Sequence, residues 1–531
     1  MKKLIVSVLA LFSVISVMAQ SNVKNLENAL EYIDNRDYDN AIKCLEKELE
    51  LNDENTLQIM GLLGYANYCN ENYAKAMSLF DRTIEYTNEK DSAFLSKMYY
   101  HRAGLNSAIG DTVSSIKDYI SSISLEPENE KAIVELAELY FNKNQYEYSD
   151  EMYLKLIDID PTNSYPYYGL ARNAYNQERF FEAGSWIDKA SVLDSDKEWI
   201  SLMRMRLGLI SGNYKEALNQ GINIISMNSV NEDAYYAILQ CSDYINEEVI
   251  SGLKAKKDND PDNGIWNYIL SHVYIRHGNF KDAIVYLEKL LEDDIIRNAA
   301  FYWLADCYEK MDEQAMVIEV TNNAIDLDST NVEYYIKRAD AKFYEQDWEG
   351  AERDYRRIIE LDRNCAYYGY YRLGWIREMQ KRYNEALDFY DMGILLNEDY
   401  AYTYMMKGNL LKNYFHDMYK ATIALKKCIE VDEGINENTC KQYAYLALGE
   451  TDKAIEITDK ILSVADTPGA YYDAACIYSR IGEKEKSVFY LKQAFEKGFK
   501  RIKHVLNDND LDNIRNYSEF KKLLKYWMNR L

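Results

Sequence analysis

From residue 20 onward one arrangement of aromatic, small and apolar positions recurs along the chain. RDYDNA (36–41), ENYAKA (71–76), ERFFEA (178–183), GNYKEA (212–217), GNFKDA (278–283), QDWEGA (346–351) and KRYNEA (381–386) each put an aromatic residue three positions ahead of an alanine. Carried through the weaker copies, the aromatic-equivalent positions are Tyr38, Tyr73, Thr112, Tyr146, Phe180, Tyr214, Asn246, Phe280, Gln314, Trp348, Tyr383, Met418, Thr451 and Lys484. They lie 32 to 39 residues apart, most often 34. A small residue stands about twelve positions before the alanine in most copies, as at Ala29, Gly64, Ala103, Ala137, Ala171, Ala237, Ala305, Ala339, Gly374, Gly408 and Ala475. The pattern predicts two helices per repeat that cross at these small residues, where backbones must come close. Large residues one turn after the alanine, among them Phe80, Tyr119, Tyr153, Tyr355 and Tyr390, are expected to fill the space beside the crossing. Pro127 and Pro161, in LEPEN and IDPTN, stop one helix and lead into the next.

This arrangement resembles the tetratricopeptide repeat. Small residues stand at that repeat's eighth and twentieth positions, an aromatic at its seventeenth, and proline in places at its thirty-second. The resemblance covers about residues 22–497 as about fourteen copies. Three copies depart from it. The one at 230–263 lacks the aromatic and has Val249 for the alanine, the one at 298–331 has Gln314 and Val317, and the one at 435–467 has Gln442 at the small position. The resemblance implies an all-α fold: a right-handed α-solenoid of about fourteen helix-turn-helix pairs. Residues 498–531 end in an amphipathic stretch with Phe520, Leu523, Leu524 and Trp527, expected to cap the last apolar face.

The N-terminus reads as an address. Lys2 and Lys3 precede an apolar run, Leu4 to Met18, and Val17-Met18-Ala19 supplies small-residue cleavage positions. Residues 1–19 are therefore expected to be a secretory signal, leaving 20–497 as the array and 498–531 as the cap. In style this signal resembles those of exported Bacteroidetes proteins. It predicts an exported chain, periplasmic or secreted, with no integral membrane segment after cleavage, because no other stretch is apolar enough to span a bilayer.

Composition narrows the function. Net charge is −25, which repels phosphate and argues against a nucleic-acid partner. Only 22 glycines and 5 prolines occur, too few for a turn-rich β fold or for flexible linkers. The five histidines are scattered, and no H-E-x-x-H, P-loop, G-x-S-x-G or G-x-G-x-x-G is present. No catalytic residue, metal site or cofactor is predicted. The eight cysteines show no C-x-x-C spacing and read as buried thiols. Cys428 and Cys440, on sequential helices, are the best-placed pair for a disulfide.

The resemblance implies that first helices line a concave groove, with their fifth and ninth positions facing it. The fifth positions here are Tyr100, Tyr168, Tyr268, Tyr302, Tyr371 and Tyr472, a candidate tyrosine ladder. The chain holds 49 tyrosines, and tyrosine offers rigid apolar area with a hydroxyl. The ninth positions and their neighbours run from Arg172 and Arg206, through His272 and Arg276, to Asp306, Glu309, Asp340 and Glu378. That order predicts a groove basic in the middle and acidic towards the C-terminal half. No copy carries the lysine and asparagine with which the family's chaperone-binding subset clamps a terminal carboxylate. The expected function is a non-catalytic extracytoplasmic scaffold holding a protein or peptide partner in the groove. The alternative is a glycan or small-molecule binder that stacks its ligand on Tyr168, Tyr371 and Trp375.

Overall fold

The computed structural model describes residues 23–51, 56–88, 91–432, 434–435 and 439–528. The signal expected at residues 1–19 lies outside the described residues. Among these the secondary structure is helical throughout, with no strand. The chain divides into two compact bodies at Ile245.

In the first body six helix pairs follow one another: Val23–Asp34 with Tyr38–Leu51, Thr56–Cys69 with Tyr73–Tyr86, Ser92–Ala108 with Thr112–Leu125, Glu130–Asn142 with Tyr146–Ile159, Ser164–Asn176 with Phe180–Leu193, and Glu198–Ser211 with Tyr214–Met227. The second body holds seven more: Gly264–Arg276 with Phe280–Glu288, Arg297–Lys310 with Gln314–Leu327, Val332–Tyr344 with Trp348–Leu361, Ala366–Met379 with Tyr383–Leu396, Ala401–Asn413 with Met418–Val431, Lys441–Leu448 with Thr451–Val464, and Pro468–Arg480 with Lys484–Glu496. Two short helices close it, Ile502–Asn507 and Ser518–Met528.

The recurring aromatic-equivalent position turns out to be the first residue of the second helix in all thirteen pairs. The exception is Asn246. It follows Ile245, whose φ of −135° and ψ of 51° break the single long helix Glu232–Asn259. This is the copy that lacks both aromatic and alanine, so the turn that should separate its helices shrinks to a kink.

Two residues before each second helix the backbone is left-handed, at Arg36, Glu71, Gly110, Asn144, Glu178, Gly212, Gly278, Asp312, Gln346, Lys381, His416, Gly449 and Gly482. The next amide then bonds back five residues, as Asn72 does to Asn67 and Glu313 to Tyr308. This is the helix-ending motif that satisfies the last carbonyls of the first helix. It sharply reverses the chain within three residues.

The crossings are as close as the small residues require. A Cβ added to Gly64 would fall 2.8 Å from the Phe80 ring. Phe80 is fully buried, as are Tyr153, Tyr355 and Tyr390 beside other crossings. The closing helix Ser518–Met528 buries Phe520 and Leu524 in a cluster with Leu491 and Phe495 of the last pair. Successive first helices also meet, as Ala366–Met379 does with Ala401–Asn413 and the latter with Lys441–Leu448, whereas among the described residues no two successive second helices approach as closely. The first helices thus form the inner wall of each body.

Two local features yield direct predictions. Cys428 and Cys440 are buried thiols whose sulfurs stand 3.5 Å apart. Diamide treatment followed by unreduced peptide mapping is expected to link this pair before the remaining six cysteines. In the first body His101 lies among the Tyr65, Tyr100 and Phe80 rings, at 4.9, 5.3 and 6.2 Å. Burial, with Lys131 and Lys97 nearby, pushes its pKa down to about 4. The folded imidazole is neutral, whereas the unfolded one charges near pH ~6.5. Its contribution to stability is therefore intact above that pH. It is lost as pH falls towards 4, at about 1.4 kcal/mol per pH unit. His101→Asn should flatten that part of the acid limb, read as the urea midpoint of the first body across pH 4–7.

Candidate partner-binding face

The face built from first helices was expected to carry both the tyrosine ladder and a run of charges, basic in the middle and acidic towards the C-terminal half. Its aromatic residues differ between the two bodies. In the first body Tyr100 is half-buried with its ring 5.8 Å from Tyr119. Tyr168 is half-buried too, its ring 4.5 Å from Trp199, and Tyr165 stands edge-on to Trp199 at 6.3 Å. Trp199 comes from the next first helix, so the three rings form a strip across a repeat joint. Arg206, about two turns further along the Trp199 helix, is 46% exposed and pairs with Asp233 at 2.6 Å.

In the second body Tyr268 and Tyr302 are half-buried, joined through His272 and Trp303: the Tyr268 ring lies 4.2 Å from His272, which lies 4.7 Å from Trp303. Tyr302 is edge-on to Trp303 at 5.3 Å. Tyr371 and Tyr472 present no open surface. Tyr371 is 4% exposed, enclosed by Tyr368, Tyr400, Tyr402 and Trp375. Trp375 is half-buried against Phe343 at 4.9 Å. Tyr472 is 6% exposed, stacked on Phe499 at 4.4 Å with its hydroxyl donating to Asp508 at 2.6 Å. The ladder is thus interrupted wherever neighbouring aromatics or the segment after residue 498 close over it. Of the three rings expected to stack a glycan, Tyr168 is half-buried in the first body, while in the second Tyr371 is buried beside the half-buried Trp375.

Most of the expected groove charges are already paired. Arg172 donates to both oxygens of Glu138 at 2.7 Å and to the Tyr153 hydroxyl at 3.0 Å, and it lies 3.8 Å over the Phe141 ring. Tyr153 and Tyr165 also donate to Glu138. Burial would raise the Glu138 pKa, but these hydrogen bonds from Tyr153 and Arg172 outweigh it and hold the carboxyl below its ordinary value.

The second body repeats the device. Tyr355 and Tyr368 both donate to Asp340 at 2.6 Å, and the buried Arg372 guanidinium lies 3.3 Å from that carboxylate and donates to the Tyr368 hydroxyl. Asp306 and Glu309 share Lys337, at 3.0 and 2.9 Å. Burial pushes the Glu378 carboxyl up to about 7, and Tyr390 donates to it at 3.0 Å. The Glu138 and Asp340 joints thus each place an acid from one first helix between tyrosines and a cation contributed by its neighbours. Glu138, Tyr165, Lys337, Tyr368 and Arg372 were not singled out from the sequence. The repeat spacing of Tyr153 and Tyr355 near an acid on the preceding first helix is the signal that marks such clusters.

Among the described residues no group of three or more His, Cys, Asp or Glu side chains is placed to hold a metal ion. No helix among them is long and apolar enough to cross a membrane.

Tetratricopeptide repeat family models match residues 26–89, 130–163, 336–394 and 468–496. A TPR repeat-containing protein of Methanocaldococcus jannaschii is 26% identical over 223 residues, covering 40% of this chain and 38% of that protein. A DnaJ homolog subfamily C member 3 of Gallus gallus is 20% identical over 315 residues, covering 53% of this chain and 61% of that protein. The chain therefore spans less than two thirds of either relative. A crystal structure of MamA protein aligns with a TM-score of 0.30 at 19% identity, covering 34% of this chain and 95% of that one.

Proposed function

The chain is a tetratricopeptide repeat protein, and from that premise we propose that it is an exported, non-catalytic scaffold whose first body holds a protein partner on its first-helix face. The reading rests on one observation above the others. In the first body the rings of Tyr165, Tyr168 and Trp199 are half-buried and in contact, with the exposed Arg206 on the same helix as Trp199. Half-exposed aromatics bordered by a cation are suited to act as anchors, because they bury large area at small loss of side-chain freedom. The helix that carries Tyr165 and Tyr168 is tied to the preceding repeat by the half-buried Glu138–Arg172 cluster, so this part of the surface exists before the partner arrives and little ordering opposes binding.

The test is a photo-crosslinking residue placed in cells at Tyr168 or Trp199, and separately at Phe181 or Val192. The latter two are 95% and 86% exposed on the second helix Phe180–Leu193. Adducts are expected from Tyr168 and Trp199. Adducts from Phe181 and Val192 alone would overturn the assignment of the face. Export is tested independently by the N-terminus of the mature chain, expected at Gln20.

A further inference from the structure

Residues 498–508 do more than close the last apolar face. The last apolar face is closed by Ser518–Met528, through Phe520 and Leu524. The segment before it joins that core through Phe499 and Val505, and its polar side chains reach further. Gly498, with φ of 104°, turns the chain out of the last helix pair. Phe499 then stacks on Tyr472. The Lys500 amide donates to Asp312 at 2.7 Å and the Arg501 guanidinium donates to the same carboxylate. Asp312 is the left-handed residue in the turn after helix Arg297–Lys310, so its carboxylate stands at the rim of the second body. The Lys500 ammonium meets Glu313 at 2.7 Å, and Lys503 meets Glu345 at 2.6 Å. Arg501 also lies 3.9 Å over the Tyr344 ring, and the Gln346 side chain donates to the Lys503 carbonyl. A stretch of about ten residues therefore joins the last pair to repeats 157 to 189 positions earlier.

The chemistry of this contact is that of recognition. Lys500, Arg501 and Lys503 are cations in a chain of net charge −25, and each finds one acid on the facing turns. Phe499 and Arg501 add a ring stacked on Tyr472 and a guanidinium stacked on Tyr344. The contact has a buried centre, the Arg501–Asp312 pair with side chains 25% and 7% exposed, and lightly held edges. The Lys503 and Glu345 side chains are 64% and 38% exposed, and Lys500 and Glu313 are 32% and 44% exposed. Pairs that open to solvent are worth about 0.2–1 kcal/mol each. The helix Ile502–Asn507 has six residues, too few to persist without its contacts.

We propose that the turns carrying Asp312, Glu313, Tyr344 and Glu345, with Tyr472, form a peptide-binding wall on the second body, and that residues 498–508 are its resident intramolecular occupant. A partner segment that combines an aromatic residue with closely spaced lysine and arginine displaces them. The proposal is independent of the face assigned to the first body. Tethering gives the resident segment an effective concentration on the order of millimolar, so a free segment of the same chemistry must compete against it.

The probe is a fluorescein-labelled peptide with the sequence of residues 498–508, titrated into the full-length chain by anisotropy. The double variant Phe499→Ala/Arg501→Ala changes only the occupant. It should bind the peptide about tenfold tighter than the unaltered chain, and adding Asp312→Ala should abolish that gain. Amides of 499–507 should exchange faster in the double variant while those of Pro468–Arg480 stay protected.

Lys503→Glu is a second variant at an exposed pair, where loss of folding is not expected. It should raise peptide affinity several-fold, and Lys503→Glu/Glu345→Lys should restore the resting behaviour. The proposal is overturned if the variants free the 499–507 amides without any gain in peptide binding. It is equally overturned if helix Pro468–Arg480 loses protection together with them, since the segment would then be a structural part of the last pair.

Discussion

Replacing Asp340 by leucine is expected to destabilise the second body by about 3–5 kcal/mol, the range for removing one partner from a buried ion pair. Asp340 accepts from the Tyr355 and Tyr368 hydroxyls and faces the guanidinium of Arg372, which is 7% exposed. Arg372 is ringed by Phe343, Tyr344, Tyr368, Tyr371 and Trp375, with its guanidinium carbon 5.2 to 5.9 Å from their centres. Burial disfavours its charge, but Asp340 and the tyrosines hold the proton, and its pKa stands well above the ordinary arginine value. With Asp340 gone the charge remains and its counter-ion does not. Faster amide exchange across Val332–Tyr344 and Ala366–Met379 is expected, with a lower urea midpoint. Adding Arg372→Met should recover much of the loss, because apolar groups in place of a whole buried pair are often neutral. Recovery should be incomplete, since two tyrosyl hydroxyls lose their acceptor at about 1–3 kcal/mol each. Full stability in the single variant would show that the cluster is not what holds this joint.

The second large effect is expected at Gly374. A Cβ there would lie 2.5 Å from the Tyr390 ring, which is fully buried and whose hydroxyl donates to Glu378. Alanine would ordinarily favour the helix by about 1 kcal/mol over glycine. Here the ring has no room to retreat, so Gly374→Ala should destabilise by about 1–3 kcal/mol net, as overpacked cores do. The partner variant decides the cause. Gly374→Ala/Tyr390→Leu should be more stable than the sum of the single changes predicts, because leucine removes the obstructing ring. Additive losses would refute a steric origin.

Both residues were visible in the sequence, but with different roles. Gly374 and Tyr390 were expected at a crossing, and the structure puts them there. Asp340 was expected among the groove acids, and the structure pairs it with the buried Arg372. A helix's own periodicity tells which face a residue occupies, not which side chains the neighbouring helices bring to it. Arg172 illustrates the same point, since its partner Glu138 comes from the preceding repeat. The left-handed turn residue was not recognised either. Only five of the thirteen helix-separating turns use glycine there, so the backbone demand is hidden behind Arg36, Glu71, Lys381 and others.

The sequence by itself determined the repeat, its register to the first residue of each second helix, the crossings and the closing helix. These depend on contacts between residues less than one repeat apart, which a period of about 34 writes directly into the order of amino acids. Tertiary structure alone decided which tyrosines stay open, which charges are neutralised across joints, and that Phe499 and Arg501 return to Tyr472 and Asp312. Those outcomes depend on how many small rotations accumulate between stacked pairs until distant rims meet. No single repeat encodes that sum, so the wall that binds residues 498–508 appears only when the helices are in place.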